Sequence, residues 1–165
     1  MGGRRAYQEA SRLATKENQT TSKWVLRFIG KQRQMQKQRA RQDKEHNDQH
    51  ALLEIGAINT QLLDAGAKRK WLQVRSIDIA SRNHRIEQLN FFDLPMAGND
   101  FHSICCAMVI NCVPTAPRRG DMLVKCLLQL LRHKGMLFLS LPRLCLRSSS
   151  HMTARRLEAI LGSLG

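Results

Sequence analysis

The sequence predicts an α/β fold, a mostly parallel sheet covered by helices, on three observations. From residue 51 onward, apolar runs of strand length alternate with segments of helical periodicity, the pattern of consecutive strand and helix units. The run Ile104 to Val113 is almost continuously apolar, as a strand covered on both faces requires. Glycine and polar residues follow the apolar runs, so the candidate ligand-binding residues fall at the carboxyl ends of the strands.

Two regions divide the chain. Residues 1–50 read as a helical, basic extension, with Tyr7-Gln8-Glu9-Ala10-Ser11 in one helix and a second beginning near Ser22. Trp24, Val25, Phe28 and Ile29 would share one side of that second helix. Residues 31–50, rich in Gln, Lys and Arg with almost no apolar side chain, can extend it but cannot bury it, giving an exposed basic helix or a linker. Residues 51–165 form the ligand-binding domain. Leu52 to Ile55 is its first strand, Asn59 to Ala65 a short helix, Val74 to Ile79 a second strand and Ile104 to Val113 a long buried one. Asp121 to His133 repeats Met122, Leu123, Cys126, Leu127, Leu130 and Leu131 at helical spacing, and Gly135 supplies a stop. Gly135 to Leu141 is the last strand. Residues 151–162 close the chain as an amphipathic helix around Met152, Leu157, Ile160 and Leu161.

The ends of the first two strands carry the chemistry. Gly56 follows Leu52-Leu53-Glu54-Ile55, where the missing Cβ lets the backbone approach a ligand. Asp78 closes the second strand 22 residues later, where a carboxylate accepts from both hydroxyls of a ribose. Together with Glu54 they suit an adenosine-containing cofactor. No Gly-x-Gly-x-x-Gly and no Lys-Ser/Thr phosphate loop occurs, so phosphates are not provided for. S-adenosylmethionine, which has an adenosine and an amino-acid tail but no phosphate, fits this pattern best. Further on, Asn90-Phe91-Phe92-Asp93 sets a polar group beside aromatics, suited to an adenine, with Phe92 and Asp93 read as core and turn. Asn111-Cys112-Val113-Pro114 follows the long strand, where a methyl acceptor would lie.

Composition points to a polyanionic partner. Lys and Arg number 27 against 13 Asp and Glu, giving +14, and residues 1–50 and 51–165 each contribute +7. No apolar run approaches the roughly 20 residues that span a bilayer, and Met1-Gly2-Gly3-Arg4-Arg5 lacks a signal-peptide apolar region. A soluble, intracellular protein with no membrane partner is expected. Ala6, where Ser or Thr would be needed, argues against myristoylation of Gly2. The five cysteines, Cys105, Cys106, Cys112, Cys126 and Cys145, sit in apolar stretches and read as reduced core residues, with no metal site.

In order along the chain, Leu53-Glu54-Ile55-Gly56, Ser76-Ile77-Asp78-Ile79, Met108-Val109-Ile110-Asn111-Cys112-Val113-Pro114, Arg119-Gly120-Asp121-Met122-Leu123 and Leu137-Phe138-Leu139-Ser140-Leu141-Pro142 resemble the fungal 25S ribosomal RNA adenine-N1 methyltransferases. Tyr7-Gln8-Glu9-Ala10-Ser11 and Ser22-Lys23 are similar to that family's helical lead-in. The resemblance implies a Rossmann-like methyltransferase fold, S-adenosylmethionine as cofactor, ribosomal RNA in a pre-60S particle as partner, and a place in the nucleus and nucleolus. It implies Gly56, Asp78, Glu54, Asn90, Phe91 and Ala107 as cofactor-binding residues, with Asn111 positioning the base. Animal relatives are considered sensors of S-adenosylmethionine with protein partners, so a sensor or adaptor is the second reading. A basic RNA-binding protein with a degenerate pocket is the third. Asn90 stands where the family usually has Asp, Ala107 where it has Ser, and Cys112 where it has an aromatic. After the last helix no sequence remains for the two closing strands of such folds, so an open sheet edge is expected.

Overall fold

The computed structural model describes residues 20–39, 49–95, 101–130, 135–149 and 152–164. The chain divides into two compact units, Met1–Asn47 and Asp48–Gly165. In the first, helix α1 spans Thr21–Arg39. Val25 and Ile29 are buried there, whereas Trp24 and Phe28 remain 46% and 40% exposed. The expected four-residue apolar side is thus two flanks: positions 25 and 29 lie about 40° apart around the helix, and 24 lies about 100° away. From Lys31 to Gln38 no side chain of α1 is buried, as its polar sequence requires. The helix expected at Tyr7-Gln8-Glu9-Ala10-Ser11 lies outside the described residues, as does the second half of the basic segment.

The second unit is a five-stranded, all-parallel sheet, order β3-β2-β1-β4-β5, flanked by helices: a Rossmann-like fold. Its strands are β1 (His50–Ile55), β2 (Leu72–Asp78), β3 (Glu87–Gln88), β4 (Ser103–Ala107) and β5 (Met136–Ser140). Helix α2 (Gln61–Ala67) joins β1 to β2, and α3 (Ala116–Gln129) joins β4 to β5. After β5 come the single turn α4 (Leu144–Arg147) and the terminal helix α5 (Ala154–Leu164). Strand alternation sorts the core. Leu53, Ile55, Ile77, Ile104 and Cys106 face one side and pack with Met122, Leu123 and Cys126 of α3, joined by Ile160, Leu161 and Leu164 of α5. Opposite them, Leu62 and Ala65 of α2 are buried. Gly66 permits that approach, since a Cβ there would lie 2.9 Å from the Val74 side chain and 3.2 Å from the Leu72 carbonyl.

Three sequence expectations need correction. The long strand Ile104 to Val113 ends at Ala107, where Met108 takes a positive φ of 60° and the chain enters a 3₁₀ turn at Ile110–Cys112. Its apolar run reports burial, because Ile110 is in the core from within the turn. Helix α3 starts five residues before Asp121. Thr115 caps it through Oγ1, which accepts the Arg118 amide at 3.4 Å, and Pro117 sits in its first turn, a start that apolar spacing cannot show. It ends at Gln129, before His133, where Leu130 turns extended and bridges to Phe101. Strand β3 and helix α4 were not expected: Glu87 and Gln88 are exposed, and two residues carry no pattern. Among the cysteines, Cys105, Cys106 and Cys126 are buried, but Cys112 is exposed and Cys145 only half-buried.

Candidate functional site

The carboxyl edge of the sheet gathers the predicted residues. Register sets them side by side: Ile55 pairs with Ile77 on one flank and with Cys106 on the other. Gly56 therefore leaves β1 between the ends of β2 and β4, where Asp78 and Ala107 lie. The amides of Gly56 and Ala57 both donate to the Ile77 carbonyl, at 2.8 and 3.1 Å, which turns the chain sharply at a glycine φ of 73°. A Cβ on Gly56 would collide with Val109, the residue after Met108. Thus the turn after β1 is packed against the turn after β4.

Asp78 is half-buried at the end of β2. Its Oδ1 accepts the Ala80 amide at 2.7 Å, which fixes the carboxylate, and among the described residues nothing engages Oδ2. The Leu89 amide donates to the Asp78 carbonyl at 3.0 Å, carrying the chain past β3 to Asn90. Asn90 caps the 3₁₀ turn Phe91–Asp93, its Oδ1 accepting the Phe92 amide at 3.1 Å, and among the described residues nothing engages its Nδ2. The two rings exchange the places expected of them. Phe91 is buried in the core, whereas Phe92 is half-buried with the Arg118 guanidinium 4.4 Å above its ring. Phe91 thus offers the rim its backbone. Lys125 of α3 holds this segment from below, donating to the Phe92 and Leu94 carbonyls at 2.6 and 2.7 Å.

Beneath the rim, the Ser76 hydroxyl donates to Glu54 Oε2 at 2.6 Å. Burial pushes the Glu54 carboxyl from 4.5 up to about 7, with the Ser76 bond opposing the rise. The sign of the consequence is definite. Between pH 4.5 and 7 the folded chain keeps a proton that the unfolded chain releases, so this contribution to stability falls as pH rises. His102, depressed by burial, acts the other way: its Nδ1 accepts the Ala51 amide at 3.0 Å, and protonation as pH falls below 6.5 favours the unfolded chain. Glu54→Gln keeps an acceptor for Ser76 and removes the charge. It should raise stability above pH 7 by on the order of 3 kcal/mol and remove the fall in stability that Glu54 causes between pH 4.5 and 7. Urea denaturation without ligand across that range checks this, and an unchanged profile would be contrary.

Beyond the end of β4, Asn111 is half-buried in the turn, its Nδ2 donating to Cys112 Sγ at 3.5 Å. The Cys112 thiol is directed at the Met108 carbonyl at 3.6 Å. Arg119 Nε donates to the Val113 carbonyl at 2.8 Å, which ties the Asn-x-Val-Pro and Arg-Gly-Asp-Met-Leu segments together. Val109, Met108 and the Arg118–Phe92 stack escaped sequence reasoning. The available signal was the Pro117-Arg118-Arg119 run two residues after Asn-x-Val-Pro. A cleft of about 410 Å³ lies elsewhere, lined by Ala51, Gln73, Arg75 and Glu87 among others, and its Arg75 and Glu87 pair with each other at 2.8 and 2.9 Å. The rim, by contrast, presents Asp78 Oδ2 and the amide nitrogen of Asn90 without protein partners among the described residues. Also among the described residues, no cluster of His, Cys, Asp or Glu could hold a metal, and no helix is long and apolar enough to cross a membrane.

A parallel sheet with its polar groups collected at the switch point between β1 and β4 defines a Rossmann-like protein, and folds of this class bind ligands at the carboxyl ends of their strands. Residues 1–165 match the profile of the family described as 25S rRNA (adenine(2142)-N(1))-methyltransferase, Bmt2, and the chain belongs to that family. The family is thus one of methyltransferases acting on N1 of an adenine in large-subunit ribosomal RNA. No curated protein matches the chain.

Proposed function

We propose that the chain binds S-adenosylmethionine at the carboxyl edge of the sheet and methylates N1 of an adenine in 25S ribosomal RNA. The observation that carries this reading is the pairing of Gly56 and Asp78 at neighbouring strand ends, with one oxygen of Asp78 fixed by Ala80 and the other open. The donor set fits the cofactor. Asp78 accepts from the ribose hydroxyls, Asn90 and the backbone of Phe91 border the adenine, and the amino-acid tail lies beside the turns at Gly56 and Ala107, with Glu54 behind them. No phosphate-binding loop is present, in keeping with a cofactor that has no phosphate.

S-adenosylmethionine supplies a methyl group on a positively charged sulfur. Adenine N1 has an in-plane lone pair and no proton, so transfer needs no general base; the residues of this chain align and desolvate. That nitrogen lies on the pairing edge, so the base must be unpaired or extruded to reach the rim. Asn111 is the group that positions it. Residues 51–165 form the cofactor domain in this reading, and the basic extension of residues 1–50 contacts RNA in a pre-60S particle, in the nucleolus. Incubation with labelled S-adenosylmethionine and ribosomal RNA from cells lacking the modification tests it: label at an adenine N1 is expected, and binding without transfer would refute the enzymatic role. One observation favours a second reading, a sensor or adaptor that binds the cofactor and a protein partner. Cys112 is exposed where the methyltransferases it resembles carry a ring, so the acceptor turn offers the base no stacking surface there.

A further inference from the structure

The basic residues of α3 near the rim are not equivalent. Arg119 is committed to the Val113 carbonyl at 2.8 Å, and Lys125 to the Phe92 and Leu94 carbonyls at 2.6 and 2.7 Å. Both hold the chain. Arg118, immediately before Arg119 and in the first turn of the helix, is exposed, and among the described residues no acceptor takes a hydrogen bond from its side chain. Its guanidinium is nevertheless placed, lying 4.4 Å above the Phe92 ring. A ring face restricts the plane of the cation without using its N–H groups, which project from its edge. Phe92 is itself fixed, because its carbonyl is held by Lys125 and its amide by Asn90. The result is an oriented fork of donors at the carboxyl edge, three residues beyond Thr115, the N-cap residue that directly follows the Asn111 to Pro114 turn.

We propose that Arg118, oriented by Phe92, binds a backbone phosphate beside the extruded adenosine and thereby positions the RNA at the rim. The inference rests on the reading of the rim as the methyl-transfer site. A planar fork matches a phosphate in two parallel hydrogen bonds, and the phosphate next to an extruded nucleotide is the anion closest to the base being modified. The +14 charge of the chain draws RNA to the surface in general; Arg118 fixes its register.

The test compares the unaltered chain with Arg118→Ala, Arg118→Lys and, as a charge-matched control, Lys70→Ala, which is exposed on the turn entering β2 at the opposite edge. The probe is a fluorescent single-stranded adenine-containing RNA oligonucleotide, titrated by anisotropy at several salt concentrations, with S-adenosylmethionine affinity measured by calorimetry on each variant. Arg118→Ala should weaken RNA binding about tenfold and lower the slope of log affinity against log salt by about 0.7, one single-strand phosphate. Arg118→Lys should keep the slope and recover only part of the affinity, since a point charge replaces the fork. Lys70→Ala should stay within about twofold of the unaltered chain, and S-adenosylmethionine affinity should not change in any variant. Arg118→Ala that behaves like Lys70→Ala overturns the proposal. So does a loss of affinity with an unchanged slope, which would mark stacking on a base. Absence of S-adenosylmethionine binding by the unaltered chain overturns the cofactor reading alone, and the RNA comparison still decides the role of Arg118.

Discussion

Asp78→Ala should lower S-adenosylmethionine affinity by at least about a hundredfold, through two charge-assisted hydrogen bonds of about 1.5–3 kcal/mol each. The size follows from geometry. β2 ends at Asp78, the Ala80 amide holds Oδ1 at 2.7 Å, and the carboxylate is therefore oriented before any ligand arrives. A preorganised acceptor loses no rotamer freedom on binding, so its hydrogen bonds are expressed nearly in full. The alanine variant also loses the contact to Ala80, and a disturbed turn alone would weaken binding. Asp78→Asn separates the two causes: its carbonyl still accepts from Ala80, while a charged acceptor becomes an amide. The asparagine variant should melt like the unaltered chain yet bind markedly more weakly than it, by calorimetry. Affinity unchanged in both variants would remove Asp78 from the site.

How far the sequence reveals this site depends on the kind of signal each part leaves. Short apolar runs made β1 and β5 legible, β2 showed itself by the apolar positions Val74 and Ile77 among polar ones, and the glycine or acid that closes β1 and β2 marked the rim. The end of β4 was not legible, because Val109 and Ile110 are as apolar as the strand before them while lying in a turn. Periodicity reads burial and is blind to a change of backbone path at constant burial. Nor could it find the true start of α3, where Thr115 and Pro117 act through a cap and a fixed φ while Arg118, Arg119 and Asp121 supply no apolar spacing. Phe91 and Phe92 show a third limit. Adjacent rings are indistinguishable by composition, and which one enters the core depends on the 3₁₀ turn that Asn90 caps and Lys125 pins from a helix 33 residues away.

The contact between Gly56 and Val109 leads to the second large effect, because it couples two turns that sequence treats separately. Gly56→Ala meets two obstacles. A side chain at φ 73° is in the left-handed region, and its Cβ would collide with Val109 Cγ2. The first costs about 1 kcal/mol and the second about 1–3 kcal/mol of overpacking, so about 2–4 kcal/mol of stability should be lost. Val109 is followed by Ile110, in the core, and by Asn111, in the proposed acceptor turn, so displacing it should move the acceptor side as well. A double-mutant cycle resolves the parts. Val109→Ala removes the colliding methyl groups; combined with Gly56→Ala it should recover the steric share while leaving the backbone cost, a coupling of about 1–3 kcal/mol. Urea titrations of the four chains measure it. Strict additivity would mean that the two turns adjust independently, and Gly56 would then serve only the path of β1. A positive coupling, accompanied by restored S-adenosylmethionine affinity in the double variant, would show that the two turns form one rigid wall of the ligand edge.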